Sequence, residues 1–411
     1  MQRSIRRRSF LKAVGAGAAG VAALGRAGIA TGFPANDTIR VGVIGSGGRA
    51  QRALMPAAAK VPGVELVSVC DVYDKRTRQG LALCRPGASA TRDHHAVLAR
   101  DDIDAVIVAT ADHWHVPITI DACRAGKDVY VEKPLTHKAS EGKAVIAAQN
   151  EHQRIVQVGM QQRSMPHFKK GLEIVRSGEL GTVHKVHLTW NRNHPIRKKS
   201  YGTDPGEVDW QRWLGDAPSR PFDEWVMLHF RWHWEFGGGI LTDLMVHYID
   251  VVNWYLGLDH PETAVSIGDH FQSTGVWETP DTIQTLLHYP KESVQVYFEG
   301  TFSNARNGAM LEFMGTKATL YLDRGHCEVH PERVTGGEVR DYSPGKSHRG
   351  ADFDKNVDGG LNHMQDFFNC VRSRGRPVAP AEAGVAAVTG AHLGNLAYRS
   401  GGMAQWSQLD L

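Results

Sequence analysis

The sequence predicts an α/β protein in two parts: a parallel sheet wrapped by helices over residues 38–157, then an α+β domain with a large, mostly antiparallel open sheet over 158–400. Three observations carry this expectation. Short, continuously apolar strands alternate with helical stretches up to about residue 157, as in a parallel sheet covered on both faces. A glycine cluster, Gly45 to Gly48, stands between the first strand and the first helix. Beyond residue 160 the strands follow one another directly, which suits antiparallel pairing.

In order, Ile39–Ile44 reads as a buried strand, Ala50–Ala59 as a helix and Val64–Cys70 as the second strand. A helix follows at Thr77–Leu83, a short strand at Ala88–Thr91 and a helix at His95–Ala99. Ala105–Ala109 and Val129–Val131 are further strands around a helix at Pro117–Ala125, and Ser140–Glu151 with Ile155–Gly159 adds one more helix–strand unit. The second part opens with a helix at His167–Arg176 and a strand at Val183–Asn191, and then a tryptophan-rich loop leads into a helix at Gly239–Leu256. Strands are expected at Ala264–Phe271, Thr282–Tyr289, Val294–Phe302, Ala309–Met314 and Thr319–Leu322, and helices at Leu361–Arg372 and Glu382–Arg399. The polar, Gly-rich stretch Glu332–Lys355 reads as a long surface loop.

The ends and the composition bound the rest. Residues 1–30 hold six basic residues and no acid: Arg7-Arg8 before Phe10-Leu11-Lys12, a mild apolar run from Ala13 to Leu24, then Gly28-Ile29-Ala30. That order reads as a removable export signal, and the paired arginines resemble a twin-arginine signal, so a periplasmic location is expected. The run is too weakly apolar for a stable membrane anchor. Of 47 basic and 44 acidic residues, six basic ones belong to that segment, so the net +3 becomes −3 without it. No basic stripe marks a nucleic-acid surface. Five cysteines without a CxxC pair make no disulfide framework.

Gly45-Ser46-Gly47-Gly48-Arg49-Ala50 follows a strand and opens a helix, the setting of a Rossmann dinucleotide fingerprint. Gly45 permits the tight turn, Gly47 lets the backbone approach a pyrophosphate, Ala50 allows close packing, and the helix N-terminus receives the phosphates. Asp71, about twenty residues on, is placed for ribose hydroxyls and favours NAD, with NADP as the alternative because Lys75 and Arg76 are near. Thr110 and His113 leave the strand Ala105–Ala109 at its carboxyl end, where such sheets bind ligands, and are read as cofactor neighbours. Glu132-Lys133-Pro134 leaves another strand, so the Lys133 ammonium can stabilise charge developing on a substrate oxygen. Asp243 and His247 are four residues apart on a helix and so share a face. A metal is not expected, because His113 and His115 lack a third ligand and His229 and His233 lie in an aromatic loop.

On GSGGRA at 45–50, EKP at 132–134 and GGGILTDLMVH at 237–247, the chain resembles the Gfo/Idh/MocA oxidoreductase family over roughly residues 38–400. The resemblance implies a Rossmann domain, then an α/β domain whose open sheet often drives dimer or tetramer formation. It implies that Lys133, Asp243 and His247 meet at the nicotinamide, with Gly45, Gly47, Gly48, Arg49, Ala50, Asp71, Thr110, His113 and Glu132 around the cofactor. One departure is Met245, where many members have glycine between that Asp and His. It either reshapes the pocket or packs inward.

The chemistry expected is hydride transfer at a secondary hydroxyl of a sugar or polyol, with His247 as base. Trp190, Trp225, Trp232 and Trp234 are candidates to wall the pocket, two at most. Export implies a cofactor that travels bound and is recycled. Two other readings are open: a glycoside hydrolase working by oxidation, elimination and re-reduction, and a non-catalytic sugar- or nucleotide-binding protein.

Overall fold

The computed structural model describes residues 38–194, 196–354 and 357–411; the export signal expected over residues 1–30 lies outside them. The first sheet has six parallel strands, β1 (Ile39–Ile44), β2 (Val64–Cys70), β3 (Ser89–Thr91), β4 (Ala105–Val108), β5 (Asp128–Val131) and β6 (Val156–Val158). They lie in the order β3-β2-β1-β4-β5-β6. The order reverses between β1 and β4, both paired in register, and the reversal opens a crevice at the carboxyl ends of those two strands. β4 and β5 are buried along their whole length, so both sheet faces are covered by helices, as the uninterrupted apolar runs require.

The second sheet has nine strands. In chain order they are β7 (Val183–Asn191), β8 (Thr263–Asp269), β9 (Thr282–Tyr289), β10 (Val294–Thr301), β11 (Ala309–Gly315), β12 (Ala318–Leu322), β13 (Cys327–Pro331), β14 (Arg340–Asp341) and β15 (Met403–Gln405). Their spatial order is β14-β13-β12-β11-β7-β10-β9-β8-β15. Every pairing is antiparallel except β7 with β10. β13, β14 and β15 go beyond the sequence expectation. β14 is two residues long, lies inside the stretch read as a surface loop and exists because Glu328 and Val329 offer it a partner. Its own residues, both exposed, carry no strand pattern.

Helices Pro166–Arg176, Val246–Leu256 and Ala381–Arg399 cover one face of this sheet. The late helix Gly359–Ser373 turns back to the first sheet and buries Met364, Phe367 and Phe368 against Val41, Ile107 and Tyr130. Each such side chain contributes about 1.5–3 kcal/mol. A single apolar cluster runs from Val106 and Val131 through Leu241 and Ile249 to Phe298 and Leu311, so the lobes share a core. No helix among the described residues is long and apolar enough to cross a membrane.

Candidate active site

A cleft of about 990 Å³ lies between the lobes, above the crevice of the first sheet. Gly45, Gly47, Gly48, Arg49, Asp71, Thr110, Glu132, Lys133, Asp243 and His247 all line it. Ala50 is buried behind the turn. Gly45 has φ +86°, and a Cβ there would come within 2.6 Å of the Ala109 carbonyl carbon. Both facts demand glycine, because an L side chain pays for left-handed φ and here also for a backbone clash. Arg52 lies against Gly48 and Arg76 near Gly47, so cations flank the turn.

Asp71 ends β2 nearly buried and accepts hydrogen bonds from the Ser46 amide (2.7 Å) and the Tyr73 amide (2.9 Å). Each carboxylate oxygen keeps a further lone pair for a ribose hydroxyl. Burial raises its pKa, and the nearby Arg76 opposes that. Arg76 lines the cleft, whereas Lys75 is exposed and does not. A glycine turn at the crevice, a buried acid at the end of β2 and cations over the turn together fit a dinucleotide.

His113 is placed elsewhere. Its ring packs against Trp213 and Phe236 at 5.3 Å and 5.1 Å, and Nε2 donates to the Trp213 carbonyl at 2.9 Å. It is not part of the cleft lining, which Trp114 and Trp213 supply instead. His113 was expected beside the cofactor; the turn after β4 aims its ring into an aromatic cluster. His115 Nδ1 donates to the Pro134 carbonyl at 2.7 Å, bracing the segment that carries Lys133.

The Lys133–Pro134 peptide bond is cis. Lys133 Nζ reaches across the cleft to Asp243, 2.6 Å from Oδ1 and 2.7 Å from its carbonyl oxygen. Arg231 Nε also donates to Asp243 Oδ1, at 3.0 Å. Burial pushes the Asp243 carboxyl up, but Lys133 and Arg231 outweigh it and hold the group well below the usual carboxylate range. Glu132 follows the same pattern, its burial outweighed by Arg49 at 2.8 Å and by Lys133. Asp112 is buried with Oδ2 unpaired among the described residues, and burial carries it up to about 7 against the pull of Arg231 and Lys133.

Asp243 sits in a π-helical turn, Leu241–Met245, that continues as the α-helix Val246–Leu256 carrying His247. Both side chains line the cleft. Met245 is fully buried and packs inward. His247 is 6% exposed, stacks on Trp190 at 5.5 Å and has no partner for Nδ1 among the described residues. Burial, then Lys133 and Arg324, hold the imidazole neutral, well below its ordinary pKa. Of the four tryptophans singled out, Trp190 walls this cleft. Trp232 stacks on Trp277 in the core, Trp225 on His229, and Trp234 lies under Arg399. His229 bonds the Tyr201 hydroxyl and His233 bonds Glu278, so those two rings serve different partners. One His/acid group among the described residues is compact enough for a metal, Asp93-His94-His95; Asp93 there caps a helix and pairs with Arg212.

Sequence reasoning missed Arg231, Arg192, Arg324 and Tyr201, all lining the cleft. Arg231 lies twelve residues before Asp243 in a single 3-10 turn, Phe230–Trp232, a spacing without periodic meaning. Arg192 and Arg324 come from the end of β7 and the β12–β13 turn.

Fold and turn together define a two-domain protein with a dinucleotide crevice facing a Lys–Asp–His group. Residues 39–160 match the model of an oxidoreductase family with an NAD-binding Rossmann fold, and residues 173–404 match that family's C-terminal alpha/beta domain. The chain belongs to the Gfo/Idh/MocA oxidoreductase family. It is 26% identical over 229 residues to an inositol 2-dehydrogenase of Burkholderia lata, covering 56% of this chain and 57% of that one. To the inositol 2-dehydrogenase of Salmonella paratyphi B it is 30% identical over 183 residues, 43% of this chain and 54% of that one. The chain thus spans little more than half the length of these curated relatives. Among solved structures, a levoglucosan dehydrogenase in complex with NADH and levoglucosan has a TM-score of 0.70 at 18% identity, covering 90% of this chain and 100% of that one. An aldose-aldose oxidoreductase from Caulobacter crescentus complexed with glycerol has a TM-score of 0.69 at 19% identity, covering 90% and 99%. These two share the fold.

Proposed function

We propose that the protein is an NAD-dependent dehydrogenase acting on a secondary hydroxyl of a sugar or polyol. The observation that carries this is the meeting of Lys133, from the end of β5, with Asp243 and His247, from the second lobe, in the cleft beside the glycine turn. Gly45, Gly47 and Gly48 would take the pyrophosphate and Asp71 the ribose. Bound nicotinamide supplies the hydride acceptor. His247, neutral at working pH, takes the hydroxyl proton. Lys133 turns its ammonium to the same oxygen and stabilises the charge that grows there. Asp243, kept ionised by Lys133 and Arg231, orients Lys133 and offers an acceptor to a neighbouring substrate hydroxyl. Trp190 backs His247 and closes that wall of the cleft. The acid at Asp71, with Lys75 turned away, favours NAD over NADP.

The named relatives are dehydrogenases and an oxidoreductase, which favours net redox chemistry over the hydrolytic and binding-only readings. The Arg7-Arg8 segment supports export by the twin-arginine route to the periplasm. There a nucleotide that stays bound and is recycled between two substrates serves better than a diffusing one. The cysteines are unpaired throughout the described chain, consistent with folding before export. A homodimer or homotetramer is proposed through the uncovered sheet face, where Met403, Val265 and Leu286 form a row across β15, β8 and β9.

The test is Lys133→Ala. It is expected to cost about 100- to 1000-fold in kcat while NAD stays bound, read by mass spectrometry of nucleotide carried through purification. Unchanged turnover of a polyol panel would remove the role given to the lysine.

A further inference from the structure

The inner cations of the cleft are matched by acids: Lys133 and Arg231 by Asp243, Arg49 by Glu132, Arg192 by Asp352 at 2.6 Å. Arg324 is the exception. It is 4% exposed, lines the cleft, and its Nε has no hydrogen-bond partner among the described residues. No acid pairs with it there; its guanidinium lies over Trp190 at 5.2 Å and Phe353 at 4.7 Å. Aromatic faces offset part of its desolvation, but a buried cation without a counter-ion is costly.

The chain also holds this arginine in place. It sits in the turn between β12 and β13, tied by its neighbour Asp323, which accepts from the amides of Gly325 (2.7 Å), His326 (2.8 Å) and Gly350 (2.7 Å). A rigid turn thus presents an unmatched positive charge into the cleft. His247 stacks on the same indole, at 5.5 Å. The charge and the proposed base therefore share one wall residue and both line the cleft.

We propose that the substrate carries a carboxylate, as an aldonate- or uronate-type polyol does, and that Arg324 binds it and sets the reacting hydroxyl against His247 and Lys133. This rests on the dehydrogenase reading above and names its substrate class. Arg192 is already neutralised by Asp352 and Lys133 shares Asp243 with Arg231, so Arg324 is the inner cation with no acid hydrogen-bonded to it among the described residues. The planar guanidinium also suits a carboxylate, which it meets with two parallel hydrogen bonds.

The experiment compares gluconate with sorbitol, and glucuronate with glucose, on the nucleotide-loaded full-length protein. Binding is followed by tryptophan fluorescence and turnover by nicotinamide absorbance. The acidic member of each pair is expected to bind more tightly, and Arg324→Gln to cut that preference by about 10- to 100-fold with NAD affinity unchanged. Equal binding of acid and neutral partners overturns the proposal, and if a neutral polyol still turns over, the dehydrogenase reading survives. Arg324-dependent acid binding without any turnover keeps the carboxylate site but sinks the dehydrogenase reading, and with it the placing of a reacting hydroxyl. A loss of NAD affinity in Arg324→Gln assigns the arginine to the cofactor and overturns the proposal. Arg324→Met provides a reading independent of ligand: losing an unpaired buried cation is expected to raise Tm, and a lower Tm marks the side chain as structural and overturns the proposal.

Discussion

Lys133 is where the two lobes meet chemically, and its charge is felt by both of its neighbours. It keeps Asp243 ionised and, after burial, is the largest influence keeping His247 neutral. Replacing it with methionine removes a positive charge beside the imidazole, so His247 is expected to titrate at higher pH than in the wild type. Heteronuclear NMR of the imidazole reads this directly, and an unmoved or lower titration would show that the two groups do not interact. The shift has a structural cause. Lys133 leaves a buried strand with a short reach, and the segment is braced by the His115–Pro134 hydrogen bond.

At the scale of elements, two devices position the site. The first is the Gly45 turn, closed by left-handed φ and lying so close to the β4 exit that an added Cβ would meet the Ala109 carbonyl carbon at 2.6 Å. Gly45→Ala is expected to abolish NAD binding, measured by calorimetry, and to lower Tm; retained affinity would mean that the turn is not the nucleotide site. The second is the helix carrying His247. Its buried Asp250 accepts from Arg163 Nε and Nη2 at 2.7–3.0 Å, tying the helix to the segment after β6. Asp250→Ala leaves Arg163 buried and unpaired, expected to cost about 3–5 kcal/mol in urea unfolding. A loss below 1 kcal/mol would show that water already satisfies the arginine. Burial pushes the Asp250 carboxyl up, but the bidentate arginine favours the ion.

At the scale of the molecule, two properties follow from what is buried and what is not. The uncovered sheet face exposes Ile267 (73%) and Met403 (59%) beside Val265 and Leu286, an apolar patch of the kind that marks an interface. Ile267→Asp is expected to dissociate the proposed oligomer, seen by light scattering; a monomeric wild type would dismiss the interface. The second property is acid lability. Burial holds His113 and His392 down to about 3, and His115, His137 and His363 to about 4. In the unfolded chain these groups take protons near pH 6.5, so stability is full above that pH and is lost as pH falls from 6.5 toward 4. His94, His167, His229 and His247 are lowered as well, and they outnumber the acids that burial raises, Asp71, Asp112, Glu141 and Asp366, which work the other way. Tm is therefore expected to fall between pH 7 and pH 5; a flat or rising profile would show that the acids dominate.

Much of this was legible in the chain itself. β1, β2, β7 and β9 coincide with their apolar runs, and the turn at Gly45 to Gly48, the Lys133 tripeptide and the Asp243/His247 pair were readable because short-range periodicity and glycine placement are local properties. What the sequence could not determine depends on distant partners. β14 exists only because β13 lies beside it, His113 turns from the cleft because Trp213 and Phe236, about a hundred residues away, receive its ring, and Met245 points inward. Arg231 and Arg324 enter the site from a 3-10 turn and a strand-to-strand turn that no spacing marks. The sequence by itself determined the order of elements and the residue types able to do the chemistry, because these are set within a few turns of chain. Only the tertiary structure decided which charges are matched and which one is left over, because burial and pairing belong to the folded whole.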